Sequence, residues 1–443
     1  MPFSTSIFFD NNKTIPDMTQ DEILALIKRE VIPAIGCTEP MCVALCVAHA
    51  TEALGEEPES IQVGLSANVL KNAMGVGIPG TGMVGLPIAI ALGALIGKSA
   101  YRLEVLHDCT PEAVERGRQF IAEGRINITL DKEACDKLYV DVVCKKGNRR
   151  AEAIIAREHT RLVYLCCDNN LMLDERSALH GASEGEAHTD LTLRQVFDFA
   201  TTTPLEELEF INEARALNEN AAQEALKGNY GHELGKTLSR PLGKGIMGDS
   251  IFSHILSVTS SACDARMAGA MIPVMSNSGS GNQGIAATLP VVVFARENHN
   301  TEEELTRALV LSHLTAIYIK QSLGRLSALC GCVVASTGSS CGITYLMGGQ
   351  YEQVAYSVKN MIANLAGMVC DGAKPSCALK VSSGVSTAVL SAMLAIQNKF
   401  VTNVEGLIED DVDRCIRNLT LVGAKGMQET DRMVLDIMTH KKC

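Results

Sequence analysis

The segment Cys370-Asp371-Gly372-Ala373-Lys374-Pro375-Ser376-Cys377 sets two thiols seven positions apart across a Gly/Pro loop. Such a loop can turn both sulfurs toward one point, whereas packing cysteines sit on apolar helix faces. Cys330-Gly331-Cys332 precedes it by about forty residues, which makes further thiols available to one soft metal centre. Lys374 and Lys380 favour thiolates there and offset the charge of a metal cluster. No Cys-x-x-Cys pair occurs, which argues against a zinc ribbon and a thioredoxin-like site. A second small-residue loop, Gly36-Cys37-Thr38-Glu39-Pro40, presents another thiol. The polar run Asn277–Gly284 lies between the apolar flanks Ala268–Met275 and Ile285–Phe294, which places it deep in the protein. Its buried amides and hydroxyls need partners, and Asn277, Ser278, Ser280, Asn282 and Gln283 can meet an anion such as a substrate carboxylate or a phosphate. A loop satisfied by its own backbone and water is the alternative.

Three other patterns fail on their context. Gly75-x-Gly77-x-x-Gly80 has dinucleotide spacing, but Asn68–Met74 stands where the strand should end and Pro79 sits inside the loop. Gly235-Lys236-Thr237 has the tail of a phosphate loop, yet Tyr230 occupies the position of the required glycine. Ser280-Gly281-Asn282-x-Gly284 is similar to the asparagine loop of pyridoxal-phosphate serine/threonine dehydratases, but no Ser-x-Lys-x-Arg motif precedes it.

The elements that must position these groups belong to a globular chain of 443 residues, 47% hydrophobic, large enough for two or three domains. Only 4% of residues are aromatic and Trp is absent, while Gly (37), Met (17) and Cys (16) are many, so the core is expected to pack small-residue helices closely. The net charge of −12 excludes non-specific nucleic-acid binding. Met1–Thr19 lacks signal-peptide character, so a cytoplasmic, reducing location is expected, with the cysteines as thiols or ligands and not a disulfide framework. The uncharged stretches Ala73–Gly97 and Met267–Ala295 are interrupted by Gly, Pro or polar residues and read as interior segments, with no membrane span. Apolar spacing predicts helix over Asp17–Ala53 with a break at Pro33 to Pro40. Strands are predicted at Ile61–Leu65, Arg102–Leu106, Ile126–Leu130, Leu138–Cys144, Ala151–Arg157 and Leu162–Cys167, around a helix at Pro111–Glu123. After a polar connection, Leu191–Met438 reads as successive helices. The expected fold is α+β: a large, mostly helical catalytic domain (residues 1–56 and 171–443) with a smaller mixed α+β lobe (57–170) inserted near the N-terminus. The N-terminal helices are expected to pack with the helical region, whose low charge leaves room for a homodimer interface.

Taken together, Pro33–Pro40, Asn68-Val69-x-Lys71-Asn72, Asn277–Ile285, Leu326–Gly331, Gly367–Lys380 and Gln428-x-Thr430-Asp431-Arg432 resemble the L-cysteine desulfidase family, which includes YhaM-type proteins and is related to the iron–sulfur L-serine dehydratase alpha chain. The resemblance extends over nearly the whole chain. It implies a [4Fe–4S] cluster on Cys330, Cys370 and Cys377, with Cys37 as proton acceptor. Three thiolates on a cubane leave one iron open as a Lewis acid. The implied reaction on a small amino-acid substrate is β-elimination of L-cysteine to pyruvate, ammonia and sulfide. Cys37 as thiolate base, the open iron, and the Asn277–Gln283 loop with Lys71 as carboxylate anchor are its three parts. L-Serine deamination differs only in the leaving group, and a non-enzymatic iron–sulfur or thiol redox sensor would suit the same cysteines. Cys332, two residues from Cys330, competes for the first ligand position, and the terminal Cys443 could cap the open iron.

Overall fold

The computed structural model describes residues 18–131, 136–179, 191–324 and 327–441; Leu326 and Cys443 lie outside them. Of the described residues 61% are helical and 12% extended, an α+β chain with a mostly helical body.

The helical body is organised around the Gly331–Leu346 helix, which packs against Glu302–Leu323, Gly281–Glu297, Tyr351–Leu365 and Cys377–Ile396. Its sequence is short-chained, with Ser336, Thr337, Ser339 and Ser340 all fully buried. The hydroxyls of Thr337, Ser339 and Ser340 donate to carbonyls within reach, as Ser340 Oγ does to Ala388 O at 3.1 Å, and Ser336 Oγ lies 3.6 Å from the Cys332 sulfur, so small polar side chains let helices approach without orphaned groups. The Gln20–Glu30 helix buries Ile23, Leu26 and Ile27 in this same core.

A six-stranded sheet forms the second body, in the spatial order Ile126–Leu130, Ser60–Leu65, Tyr139–Lys146, Arg149–Ala156, Leu162–Cys167, Asn170–Asp174. The first pair is parallel and the others are antiparallel. Val140, Val142 and Cys144 alternate inward along their strand, the period-two pattern of a sheet with one covered face. That face is covered by the Thr38–Leu54 helix, where the Cys46 thiol donates to Ala153 O at 3.2 Å. The two N-terminal helices therefore part company: the first joins the helical body, but the second joins the core of the sheet. Ten of the eleven buried residues of Thr38–Leu54 join the core of the sheet, which outweighs proximity along the chain.

Two elements differ from expectation. Arg102–Leu106 is no strand; Ser99–Glu104 is a 3₁₀ turn, and packing it on the Thr38–Leu54 helix buries Val105 and Leu106 without a ladder. Asn170–Asp174 is a strand without an apolar pattern, an exposed edge paired on one side only. At Gly77 the backbone crosses the Ala268–Gly269 backbone so closely that a Cβ would stand 2.2 Å from Ala268 C, which accounts for this glycine without any dinucleotide. Among the described residues one helix, Cys377–Ile396, is long and apolar enough to cross a membrane, and half of its apolar window is buried within the protein.

Candidate functional site

Cys37 lies just before the Thr38–Leu54 helix, whose first turn accommodates Pro40 because its missing N–H has no helical partner to lose. A two-stranded pairing of Pro33–Ala34 with Val274–Met275, extended by Ser276 N–H to Ile32 O (2.9 Å) and Ser278 N–H to Glu30 O (2.9 Å), brings this loop beside the Asn277–Gly284 loop. Cys37 is 4% exposed and its thiol donates to Glu39 Oε2 at 2.9 Å. The same oxygen accepts from Thr38 Oγ1 at 3.1 Å, and Glu39 Oε1 accepts from Asn72 Nδ2 at 3.2 Å. Burial and then the Glu39 charge push the Cys37 thiol well up, against a smaller opposing effect of Arg266. Burial works to raise Glu39 as well, but His159 and the hydrogen bonds it accepts outweigh it and hold the carboxyl below its ordinary value. Both directions favour a Cys37 thiol donating to a Glu39 carboxylate over a resting thiolate.

Within the polar loop, Ser278 and Gly279 adopt left-handed backbone and Ser280 caps the Gly281–Glu297 helix, accepting from Gln283 N–H at 3.4 Å. Ser278, Ser280, Asn282 and Gln283 line a cavity of about 1120 Å³. Asn277 does not. Fully buried, it donates through Nδ2 to His313 Nδ1 (3.1 Å) and His313 O (3.0 Å), while its Oδ1 accepts from Ser278 Oγ (2.9 Å). His313, lowered to about 3 by burial, is a neutral imidazole whose Nε2–H donates to Thr288 Oγ1 at 2.9 Å. Asn277 therefore holds the loop in place from behind. Asn277→Ala leaves a buried imidazole nitrogen without its donor, and a loss of about 1–3 kcal/mol is expected in thermal or urea unfolding, with little change in substrate affinity for the folded fraction. Lys71 is also outside the cavity, 2% exposed and ion-paired with Asp431 of the Gln428–His440 helix. Its partner lies 360 positions away, and a buried ammonium so neutralised has no charge left for a ligand.

Cys330, Cys370 and Cys377 border the same cavity as Cys37. Cys330 immediately precedes the Gly331–Leu346 helix, and Cys377 begins the Cys377–Ile396 helix. Cys330 N–H to Met368 O (2.9 Å) and Cys370 N–H to Ala328 O (2.7 Å) clamp the first two loops together. Lys380 Nζ donates to Val369 O at 2.7 Å and pairs with Asp371, tying the loop to the third thiol's helix, while Lys374 meets the same Asp371 at 2.5 Å within the loop. Burial raises the Cys330 thiol, and Cys332, Cys370 and Cys377 raise it further. Burial also raises Cys377, against Lys374 and Lys380. Among the described residues no three His, Cys, Asp or Glu stand close enough for a single metal ion. A cubane is a wider group that holds its ligand thiolates further apart, and three thiols bordering one cavity, Cys330 at a helix N-terminus and Cys370 and Cys377 at the two ends of one loop, fit it. Cys332 also borders the cavity, but its sulfur donates to Lys380 O at 3.1 Å and lies 3.6 Å from Ser336 Oγ, turned into the helix packing.

Several cavity residues were not singled out from the sequence, and two of them, His159 and Arg266, act on the Cys37 pair. His159, in the turn after the Arg149–Ala156 strand, reaches the cavity from the sheet and acts electrostatically on Glu39. Arg266 comes from the last turn of the Ile251–Met267 helix, where a cation reads as an ordinary complement to the helix dipole.

Residues 100–436 match the family described as serine dehydratase alpha chain. The chain is 68% identical over 420 residues to a UPF0597 protein of Bacteroides thetaiotaomicron, covering 95% of this chain and 98% of that protein. It is 66% identical over 429 residues to UPF0597 protein BF3560 of Bacteroides fragilis, covering 96% and 100%. A UPF0597 protein of Porphyromonas gingivalis is 52% identical over 429 residues, covering 96% and 99%.

Proposed function

Because the chain belongs to the serine dehydratase alpha chain family, we infer that it is an iron–sulfur-dependent lyase that converts L-cysteine to pyruvate, ammonia and sulfide. The observation that carries this reading is the convergence of Cys330, Cys370, Cys377, Cys37 and the Ser278–Gln283 loop on one cavity. A [4Fe–4S] cluster on the first three thiols supplies, when bound, a Lewis acid for the substituent at Cβ. The free thiols of the described cysteines suit a reducing compartment, and a cytoplasmic location is part of the proposal.

The chain's own residues manage the protons. Cys37 passes its proton to Glu39 Oε2, 2.9 Å away, and the thiolate so formed removes the proton from Cα. The Cα–H pair becomes the new double bond, and the Cβ–S pair leaves with sulfur. The proton on Glu39 goes to the departing sulfide or to water, and the aminoacrylate product hydrolyses to pyruvate and ammonia. Burial of Cys37 keeps the thiolate short-lived and unsolvated, so that it forms only where a neighbouring base can receive its proton. Glu39→Gln removes that receiver. Its kcat is expected to fall by about 10²-fold or more with iron content intact, and an unchanged kcat would remove Glu39 from the proton path.

L-Serine is the second reading, favoured by the family's description and differing only in a departing hydroxide. Anaerobic reconstitution with iron and sulfide, followed by pyruvate assays on both amino acids, decides between them. A higher kcat/KM for L-cysteine is expected. A higher value for L-serine reassigns the substrate, and turnover of neither overturns the lyase reading.

A further inference from the structure

Arg266 is a buried cation without an anion. It is 5% exposed, and among the described residues no carboxylate stands within ion-pair distance of it. Nη2 donates to Gly36 O at 2.9 Å and Nη1 to Asn282 Oδ1 at 3.1 Å, both neutral oxygens. Nε is buried with no hydrogen-bond partner at all. A guanidinium carries five N–H donors, so more than half of this one's capacity is unused. Removing such a charge from water costs several kcal/mol unless an opposite charge compensates it, and structural arginines in protein interiors meet that need with a carboxylate. Here the compensating group is missing from the protein, and the residue borders the cavity.

Its surroundings are shaped to keep it there. Gly281, the first residue of the Gly281–Glu297 helix, lies against the guanidinium so closely that a Cβ would stand 2.2 Å from Nε and 2.8 Å from Cζ. Gln283, on the same turn, has an Oε1 that is buried without a donor. Arg266, from the Ile251–Met267 helix and set against Gly281, and Gln283, two residues further along the Gly281–Glu297 helix, therefore bring an unpaired cation and an unsatisfied amide oxygen to the lining of one cavity, next to the loop that carries Cys37. An anion with an adjoining N–H donor complements both, and the carboxylate and ammonium of an α-amino acid are such a pair.

We propose that Arg266 is the carboxylate-binding residue of the cavity, with Gln283 Oε1 accepting from the substrate ammonium. This deepens the lyase reading, on which it rests for the identity of the ligand as an α-amino acid. It also gives the anchoring role expected of Lys71 to a residue whose charge is not already neutralised. With the carboxylate on Arg266, the adjoining Cα is held on the wall shared with Cys37, whose loop carbonyl at Gly36 is bonded to the same guanidinium. Substrate binding and placement of the base are thereby coupled through one side chain.

The test uses the reconstituted full chain and two competitive probes that differ in one group: 3-mercaptopropionate, which keeps the thiol and carboxylate, and cysteamine, which keeps the thiol and amine. In Arg266→Gln, KM for the amino acid and Ki for 3-mercaptopropionate are expected to rise about 10- to 100-fold, while Ki for cysteamine stays unchanged. Gly281→Ala, which keeps the charge but displaces it, is expected to shift the same constants in the same direction. Thermal melts of both variants establish that they fold, and calorimetric titration of 3-mercaptopropionate into the protein provides a readout independent of turnover. An unchanged Ki for 3-mercaptopropionate in Arg266→Gln overturns the proposal. An equal loss for both probes also overturns it, since that makes Arg266 a support of the cavity wall and not a carboxylate ligand. If the wild-type chain turns over neither L-cysteine nor L-serine, the lyase reading fails by itself, and the titration still decides whether Arg266 binds a carboxylate.

Discussion

Cys37→Ser is expected to retain its full iron content and to lose about 10²–10⁴-fold in kcat. The oxygen of serine can keep the hydrogen bond to Glu39, so the loop before the Thr38–Leu54 helix has no reason to rearrange. An alcohol is nevertheless a far weaker acid than a thiol, and Glu39, held below the ordinary carboxylate range, cannot draw its proton away. The expected loss lies in kcat with KM little changed, because Cys37 acts on the proton in the transition state and does not hold the carboxylate. The substitution also separates two roles for the thiol. Loss of iron in Cys37→Ser would make Cys37 a ligand and leave the proton path without its first member.

Single alanine substitutions of Cys330, Cys370 and Cys377 are each expected to lower iron from about four per chain to near zero, and activity with it. Cys332→Ala is expected to keep both. The distinction is geometric. The backbone clamp between Cys330 and Met368 and between Cys370 and Ala328 holds the segments of the first two thiols together, and Cys377, the first residue of its helix, borders the same cavity. Cys332 lies one residue into the Gly331–Leu346 helix and donates to Lys380 O at 3.1 Å, so its loss removes a packing contact and no ligand. Iron and acid-labile sulfide per chain, measured after anaerobic reconstitution, check all four. Depletion in Cys332→Ala with retention in Cys330→Ala would reverse the assignment of the first ligand.

The thiol loops were legible in the sequence because Gly and Pro around a cysteine are at odds with a packing role, and that conflict survives without coordinates. The sheet was legible for a similar reason: Val140, Val142 and Cys144 keep a strict period of two, whereas Asn170–Asp174, an edge with Leu171 and Met172 exposed, carries no such pattern. Pairing was not legible. Lys71 reads as an available cation until Asp431 is seen beside it, and Asn277 reads as part of a binding loop until His313, on another helix, takes up its amide. The converse holds for Arg266. Nothing in Asp264-Ala265-Arg266-Met267 indicates that this cation faces a cavity with no carboxylate partner, because the absence of a partner is a property of the folded surroundings. The fate of the Cys37 proton was hidden for the same reason, although Glu39 stands only two residues away: whether a nearby carboxylate favours the thiol or the thiolate depends on how deeply the pair is buried.

An iron-dependent elimination in this cavity makes the rate of pyruvate formation from L-cysteine depend on the iron bound per chain. Chains loaded anaerobically to graded iron contents are predicted to form pyruvate, with equimolar sulfide, in proportion to the iron they hold, and the iron-free chain to form none. Pyruvate formation at an equal rate by the iron-free chain, or none by the fully loaded chain with either L-cysteine or L-serine, would rule out an iron-dependent elimination here.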